Sequence, residues 1–225
     1  MTIPTRLFAP LLAGATLRDR VVAGLAAGIG IALTSLVSSW LLGWSSLPLL
    51  VAPVGASAVL LFAVPASPLA QPWPLLGGNV VSALVGVTIA QLLGHGPLAA
   101  GAAVGAAIVG MALCRCLHPP GGAAALTAVI GGPAVTAAGF VFPFAPVAVN
   151  SLLLLGTGWA FHRVSGHRYP HRAGPPVAAP GLLRADIYRA LAEAHESFDI
   201  APEDLEQLLQ RAERHAETRR GQRPA

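Results

Sequence analysis

Few side chains in this sequence could do chemistry, and they cluster at one kind of place. In 114-CRCLHPPGGAAALTAVIGG-132 a single imidazole, His118, precedes two prolines and two glycines inside an otherwise apolar region. Pro120 has no N–H, and Pro119 disfavours helical geometry at His118. One helix must therefore stop here, and another can start near Gly121. A helix start exposes N–H donors and about half a positive charge. Gly121, Gly122 and Ala123 leave that backbone open to close approach. In lipid such donors need a partner from protein, water or a bound ion. A second start of this type is expected at Gly55, Ala56 and Ser57 in 53-PVGASA-58. Two such starts, with His118 and Arg115 nearby and no carboxylate, suit an anion. Ser57, Asn79 and Asn150 could add neutral donors, and His118 could carry a proton in a proton-coupled version. The residues alone favour the plainer reading, a tight Pro-Pro-Gly-Gly loop between spans with His118 at headgroup level.

Other chemistries find less support. Cys114 and His118 stand four apart, but two ligands are too few for a metal site. His95, in 94-GHGP-97, reads as a loop residue. Residues 21–162 offer no acid–base pair and no activated nucleophile, so neither an enzyme nor a cofactor is expected. A cation transporter normally carries an intramembrane Asp or Glu; this stretch has none.

The elements that position these groups must sit in lipid. The chain of 225 residues is 54% hydrophobic and 11% charged, too apolar for a soluble domain. Of its arginines and acids only Arg115 lies between Val21 and His162, and lysine does not occur at all. The first apolar run is too long for a signal-peptide core, so the first helix is expected to direct its own insertion. Cys114 and Cys116, two apart, read as small packing residues.

A span needs about 20 apolar residues, and punctuation cuts the sequence into six segments: 21–42, 47–65, 75–94, 97–116, 120–139 and 143–162. Segments two and five carry Pro and Gly internally and are poor plain spans. The expected fold is an all-α membrane bundle of four to six transmembrane segments, two of them broken. Small residues such as Gly101 and Gly105 allow close helix packing. Residues 1–20 form the N-terminus, 21–162 the membrane domain, 163–181 a basic Pro/Gly-rich linker and 182–225 an amphipathic helical tail. Within the tail, helices are expected at 183–197 and 202–219, forming a hairpin. Arg6, Arg18 and Arg20 precede the first segment, and Arg163, Arg168 and Arg172 follow the last. The positive-inside rule then puts both ends in the cytoplasm and the protein in the cytoplasmic (inner) membrane. The basic linker is explained by this topology, so nucleic-acid binding is not expected; the lipid bilayer and a small inorganic anion are the expected partners, and a homo-oligomer is allowed.

The broken segments resemble each other, 53-PVGASA-58 against 119-PPGGAA-124, and each is followed by a span containing one of the two asparagines, Asn79 or Asn150. Three segments per unit gives opposite orientations, which is the logic of a 3+3 inverted repeat with its site at the repeat interface.

These residues also resemble a known family. His118 to Leu126 looks like the signature of the HPP integral membrane proteins, and 55-GASAVLLFAVPASPLAQPWPLLGGN-79 is similar to that family's second block. The resemblance covers roughly residues 20–165. It implies a domain usually described with four membrane helices. Some plant and cyanobacterial relatives are assigned nitrite transport, which implies an anion carrier or channel with His118 in its site. The segment 185–220 looks like the helical connector that leads many bacterial relatives into paired nucleotide-sensing CBS domains. A membrane scaffold or sensor carrying a regulatory tail is therefore the alternative function.

Overall fold

The computed structural model describes residues 17–42, 50–166, 168–172, 183–194 and 199–221. Readings that rest on Arg6, on the start of segment two or on most of the 163–181 linker lie outside the described residues. The chain is an all-α membrane protein. Its helices are α1 (Leu17–Leu42), α2 (Pro53–Ala63), α3 (Pro72–Leu93), α4 (Pro97–Leu113), α5 (Pro119–Ile130), α6 (Pro133–Ala138), α7 (Val149–Ser165), α8 (Arg184–Ala194) and α9 (Pro202–Gly221). Six of these begin on a proline, whose missing N–H and fixed φ fit a first helical turn. The prolines that made segments two and five look broken are thus helix starts.

Length separates the spans from the broken pieces. At 1.5 Å per residue, α1 reaches about 39 Å and α3 about 33 Å, enough for a hydrocarbon core of about 30 Å. A π-helical stretch at Pro143–Ala148, kinked at Ala145, runs into α7, and Pro143–Ser165 forms a third apolar span. By contrast α2 has 11 residues and α5 has 12, so each crosses only about half the core. Past Ile130 the chain bends by 92° into Pro133–Val141. Segment two is therefore shorter than the 47–65 expected, because no helix precedes Pro53 in the described residues from Leu50 onward. The tail helices are described over Arg184–Ala194 and Pro202–Gly221 and pack on each other; residues 195–197 of the first expected helix lie outside the described residues.

Helix faces explain the arrangement. Leu25, Ile29, Leu36, Trp40, Leu98 and Val109 are exposed, a surface that only lipid tails can cover without cost. Inside, the closest pair is α3 against α5. A Cβ at Gly86 would lie 2.5 Å from the Ala125 carbonyl oxygen, and one at Gly121 would lie 2.6 Å from Ser82 Oγ. Only glycine allows that approach. Gly101 and Gly105, read from sequence as a packing pair, instead have nothing within 4 Å. The inner face of α4 is formed by Ala99, Ala103 and Ala107, one helical step away.

Side-chain contacts fix the directions. Ser38 of α1 meets Asn150 at the start of α7, whereas a Cβ on Gly30 would meet Thr157 further along it. The two helices are antiparallel, so Leu17 and Ser165 lie at one end of the bundle. The α2–α3 loop is at that end too, since Tyr169 Oη donates to Ala70 O at 2.9 Å. So is the α4–α5 turn, where Trp73 Nε1 donates to Cys114 O at 3.1 Å.

Candidate functional site at the junction of two broken helices

His118 is the residue before the first turn of α5, with extended backbone (φ −143°, ψ 109°) and a side chain wholly buried. The extended geometry is what Pro119 demands, and it turns the imidazole inward. Gly78 makes room for it: a Cβ there would lie 2.5 Å from His118 Cβ. Nδ1 of His118 lies 2.8 Å from Leu69 O, and Nε2 lies 2.8 Å from Ser57 Oγ. A carbonyl can only accept, so Nδ1 carries the hydrogen and the neutral ring presents Nε2 as an acceptor.

Ser57, in the second turn of α2, is the hub. Its Oγ lies 3.0 Å from Pro53 O and accepts from Asn79 Nδ2 at 3.1 Å. The same Asn79 nitrogen donates to Ser151 Oγ at 3.3 Å. Next to Ser151, Asn150 donates to Ser38 Oγ at 2.7 Å and accepts from Val51 N at 3.1 Å. A continuous buried polar seam thus links α5, α2, α3 and α7 to α1. Asn79 Oδ1 and Ser82 Oγ are buried with no hydrogen-bond partner among the described residues.

The structure brings His118, Ser57 and Asn79 together and places Asn150 along the seam. It disperses other residues singled out from sequence. Gly55, Ala56, Pro119 and Ala123 are exposed, Gly122 is half-buried, and Pro120 and Gly121 are buried against the bundle. Arg115 is exposed in the α4–α5 turn, at φ +52°. The expected cradle of free N–H groups also changes character. Pro53, Pro119 and Pro120 have no N–H to give. Val54 N donates to Val51 O, Gly55 N to Ala52 O and Gly121 N to His118 O, each within its own turn. The polar groups that converge are therefore side chains. The two asparagines are not equivalent either: Asn79 bonds inside the junction, whereas Asn150 anchors the backbone entering α2.

Ser38, Ser82, Ser151 and the Leu69 carbonyl were missed. Polar spacing was the available signal for two of them, because Asn79 and Ser82 stand three apart on α3 and Asn150 adjoins Ser151. Nothing in a sequence marks a leucine carbonyl as an imidazole acceptor.

A basic cleft of about 430 Å³ opens at the end of the bundle that holds Arg115, lined by Trp159, His162, Arg163, Arg168, Tyr169 and Arg172 among others. The Arg163 guanidinium sits 5.0 Å from the Trp159 ring centroid. Burial pushes the Tyr169 phenol above its ordinary range, so it stays a donor to Ala70. The loop it holds also takes bonds from beyond α7: His171 N donates to Gln71 Oε1 at 2.9 Å, and Ser67 Oγ donates to Asp199 Oδ1 at 2.7 Å. His171 Nε2 lies 2.9 Å from Asp204.

The family model described as "HPP, transmembrane region" matches residues 13–170, which include the whole junction. The chain belongs to the HPP transmembrane family. Among curated relatives, one transmembrane protein of Dictyostelium discoideum is 43% identical over 120 residues, covering 51% of this chain and 38% of that protein. Another from the same organism is 37% identical over 131 residues, covering 56% of this chain and 46% of that protein. The chain thus spans less than half the length of these relatives. No solved structure shows significant similarity to it.

Proposed function

We propose that this HPP-family protein is a transporter or channel for a small inorganic anion, with nitrite the first candidate. The observation that carries the reading is the meeting of two half-length helices, α2 and α5, at a wholly buried junction of His118, Ser57 and Asn79. Half-helices that meet inside a bundle are a recurrent way to build a transport site. Their starts carry positive partial charge, and Val21–His162 contains no carboxylate to repel an anion. The hydroxyl and amide groups would line the anion's path, with the imidazole bonded behind them to Ser57 and Leu69. The arginines of the cleft and Arg115 would raise anion concentration at the cytoplasmic end, where the positive-inside rule also places both ends of the membrane domain. Purified protein in liposomes, assayed with nitrite, nitrate, formate and chloride, tests this reading. Protein-dependent uptake of at least one anion is expected; none for any of them would end it.

One observation favours a second reading, a membrane scaffold or sensor. Asp199 ties the tail to the α2–α3 loop at Ser67, and Asp204 pairs with His171, whose N–H bonds Gln71 of that loop. The same loop's Leu69 carbonyl holds His118. That route would let the tail report to the membrane domain without any flux.

A further inference from the structure

Ser57 has one hydroxyl hydrogen and two acceptors in reach, Pro53 O at 3.0 Å and His118 Nε2 at 2.8 Å. When the imidazole is neutral, the hydroxyl donates to Nε2 and accepts from Asn79 Nδ2. When a proton adds to Nε2, a new N–H bond forms there and donates to Ser57 Oγ. The Ser57 O–H bond does not break; it turns to Pro53 O. Nδ1–H continues to donate to Leu69 O throughout. Both protonation states are therefore fully hydrogen-bonded with every heavy atom in place. An ordinary buried histidine is satisfied in only one of them.

Charge is the remaining question. Among the described residues, no element packed around His118 brings a compensating charge to it. From α2 comes Ser57, from α3 Gly78, Asn79 and Ser82, from α4 Met111, and from the α2–α3 loop Leu69; none of these carries charge. Cys116 is the titratable neighbour, in the α4–α5 turn. Arg115 in the same turn is exposed, and Asp199 reaches only the outer side of the loop at Ser67. An imidazolium here would be a buried charge without a counter-ion, which is costly. An anion in the junction would supply that counter-ion, so proton and anion each favour the other's binding.

Resting on the anion-transport reading above, we infer that the protein moves its anion together with one proton, held on His118 Nε2 and accommodated by rotation of the Ser57 hydroxyl. One proton per monovalent anion makes the cycle electroneutral.

The test uses the full chain in liposomes holding a pH indicator, with membrane potential clamped by potassium and valinomycin and leak through protein-free vesicles subtracted. Nitrite and nitrate are the probes. One proton should enter per anion, and clamping the voltage should leave uptake unchanged. One unit of inward pH gradient should raise anion accumulation about tenfold, because it stores the same free energy as a tenfold concentration ratio. Ser57→Ala removes the hydroxyl that accepts from Nε2–H, so its uptake should lose the dependence on the proton gradient. His118→Gln should carry no protons. Uptake by the wild-type protein that follows voltage and brings in no protons overturns this inference but leaves the transport reading intact. No uptake of either anion by well-incorporated protein overturns both.

Discussion

At the scale of single residues, the junction is a matter of which atoms fit. Gly121 and Gly55 occupy similar places in α5 and α2, yet their surroundings differ. A Cβ on Gly121 would meet Ser82 Oγ and Gly78 O at 2.6 and 2.8 Å, whereas Gly55 has nothing within 4 Å. Gly121→Ala should therefore cost about 1–3 kcal/mol through overpacking, lowering the melting temperature in detergent. Gly55→Ala should be neutral, or stabilise by up to about 1 kcal/mol through helix propensity. Equal melting of the two variants would contradict the close α3–α5 contact. The comparison also reassigns what Gly121 does. A branched residue there fails by pushing α5 off α3, before any question of ligand approach arises.

At the scale of elements, each break in the bundle is held by a partner from another helix. The backbone entering α2 is anchored by Asn150 of α7, which accepts from Val51 N. Asn150→Leu would leave that buried donor unpaired, a loss of about 1–3 kcal/mol. Amide exchange should accelerate across the start of α2 and much less across α4; uniform exchange along both would argue against the anchor. This scale also shows what a sequence makes legible. Prolines announced the breaks, because a residue without an N–H has few places to go in lipid. The helix α4 opens on Pro97 as read, whereas α2, α3 and α5 open on Pro53, Pro72 and Pro119, two or three residues before the starts read at Gly55, Leu75 and Gly121. His118 stood out because an imidazole is rare there. Serines such as Ser38 and Ser151 did not, since a hydroxyl can return its bond to its own helix and so need signify nothing. The faces of α4 were unreadable for a related reason. When every residue is apolar, periodicity cannot separate the side facing lipid from the side facing protein, and Gly101 and Gly105 were placed on the wrong one.

For the whole molecule, the antiparallel run of α1 and α7 puts both ends of the membrane domain at one end of the bundle, beside Arg115 and the basic cleft. Cysteines introduced at Thr5 and Ala201, in a background lacking Cys114 and Cys116, should both be shielded from impermeant label in intact cells. Labelling of either would reverse the expected orientation or break the even crossing number. The tail is tied to this end by small contacts: Ser67–Asp199, and a His171–Asp204 pair whose side chains are 25% and 23% exposed. Pairs of that kind contribute about 1 kcal/mol or less. Asp199→Ala combined with Asp204→Ala should therefore release α9 to protease while leaving the bundle's melting unchanged. A tail cleaved no faster than in the wild type would mean that other contacts hold it. If the tail regulates, the same variant should also alter flux, since the loop it frees carries Leu69.

The proposed transport depends on the anion passing through the buried meeting point of α2 and α5. Its most direct test is nitrite uptake by liposomes holding equal amounts of folded wild-type protein and His118→Ala. The variant loses the ring charge that would face the anion and the bond that orients Ser57. An effect the size of one charge-assisted hydrogen bond, about 1.5–3 kcal/mol, is roughly ten- to a hundredfold in affinity. Uptake by the variant at low nitrite should fall by that order. Wild-type uptake by His118→Ala, at equal incorporation, would contradict the account and leave the His-Pro-Pro stretch as a turn between helices.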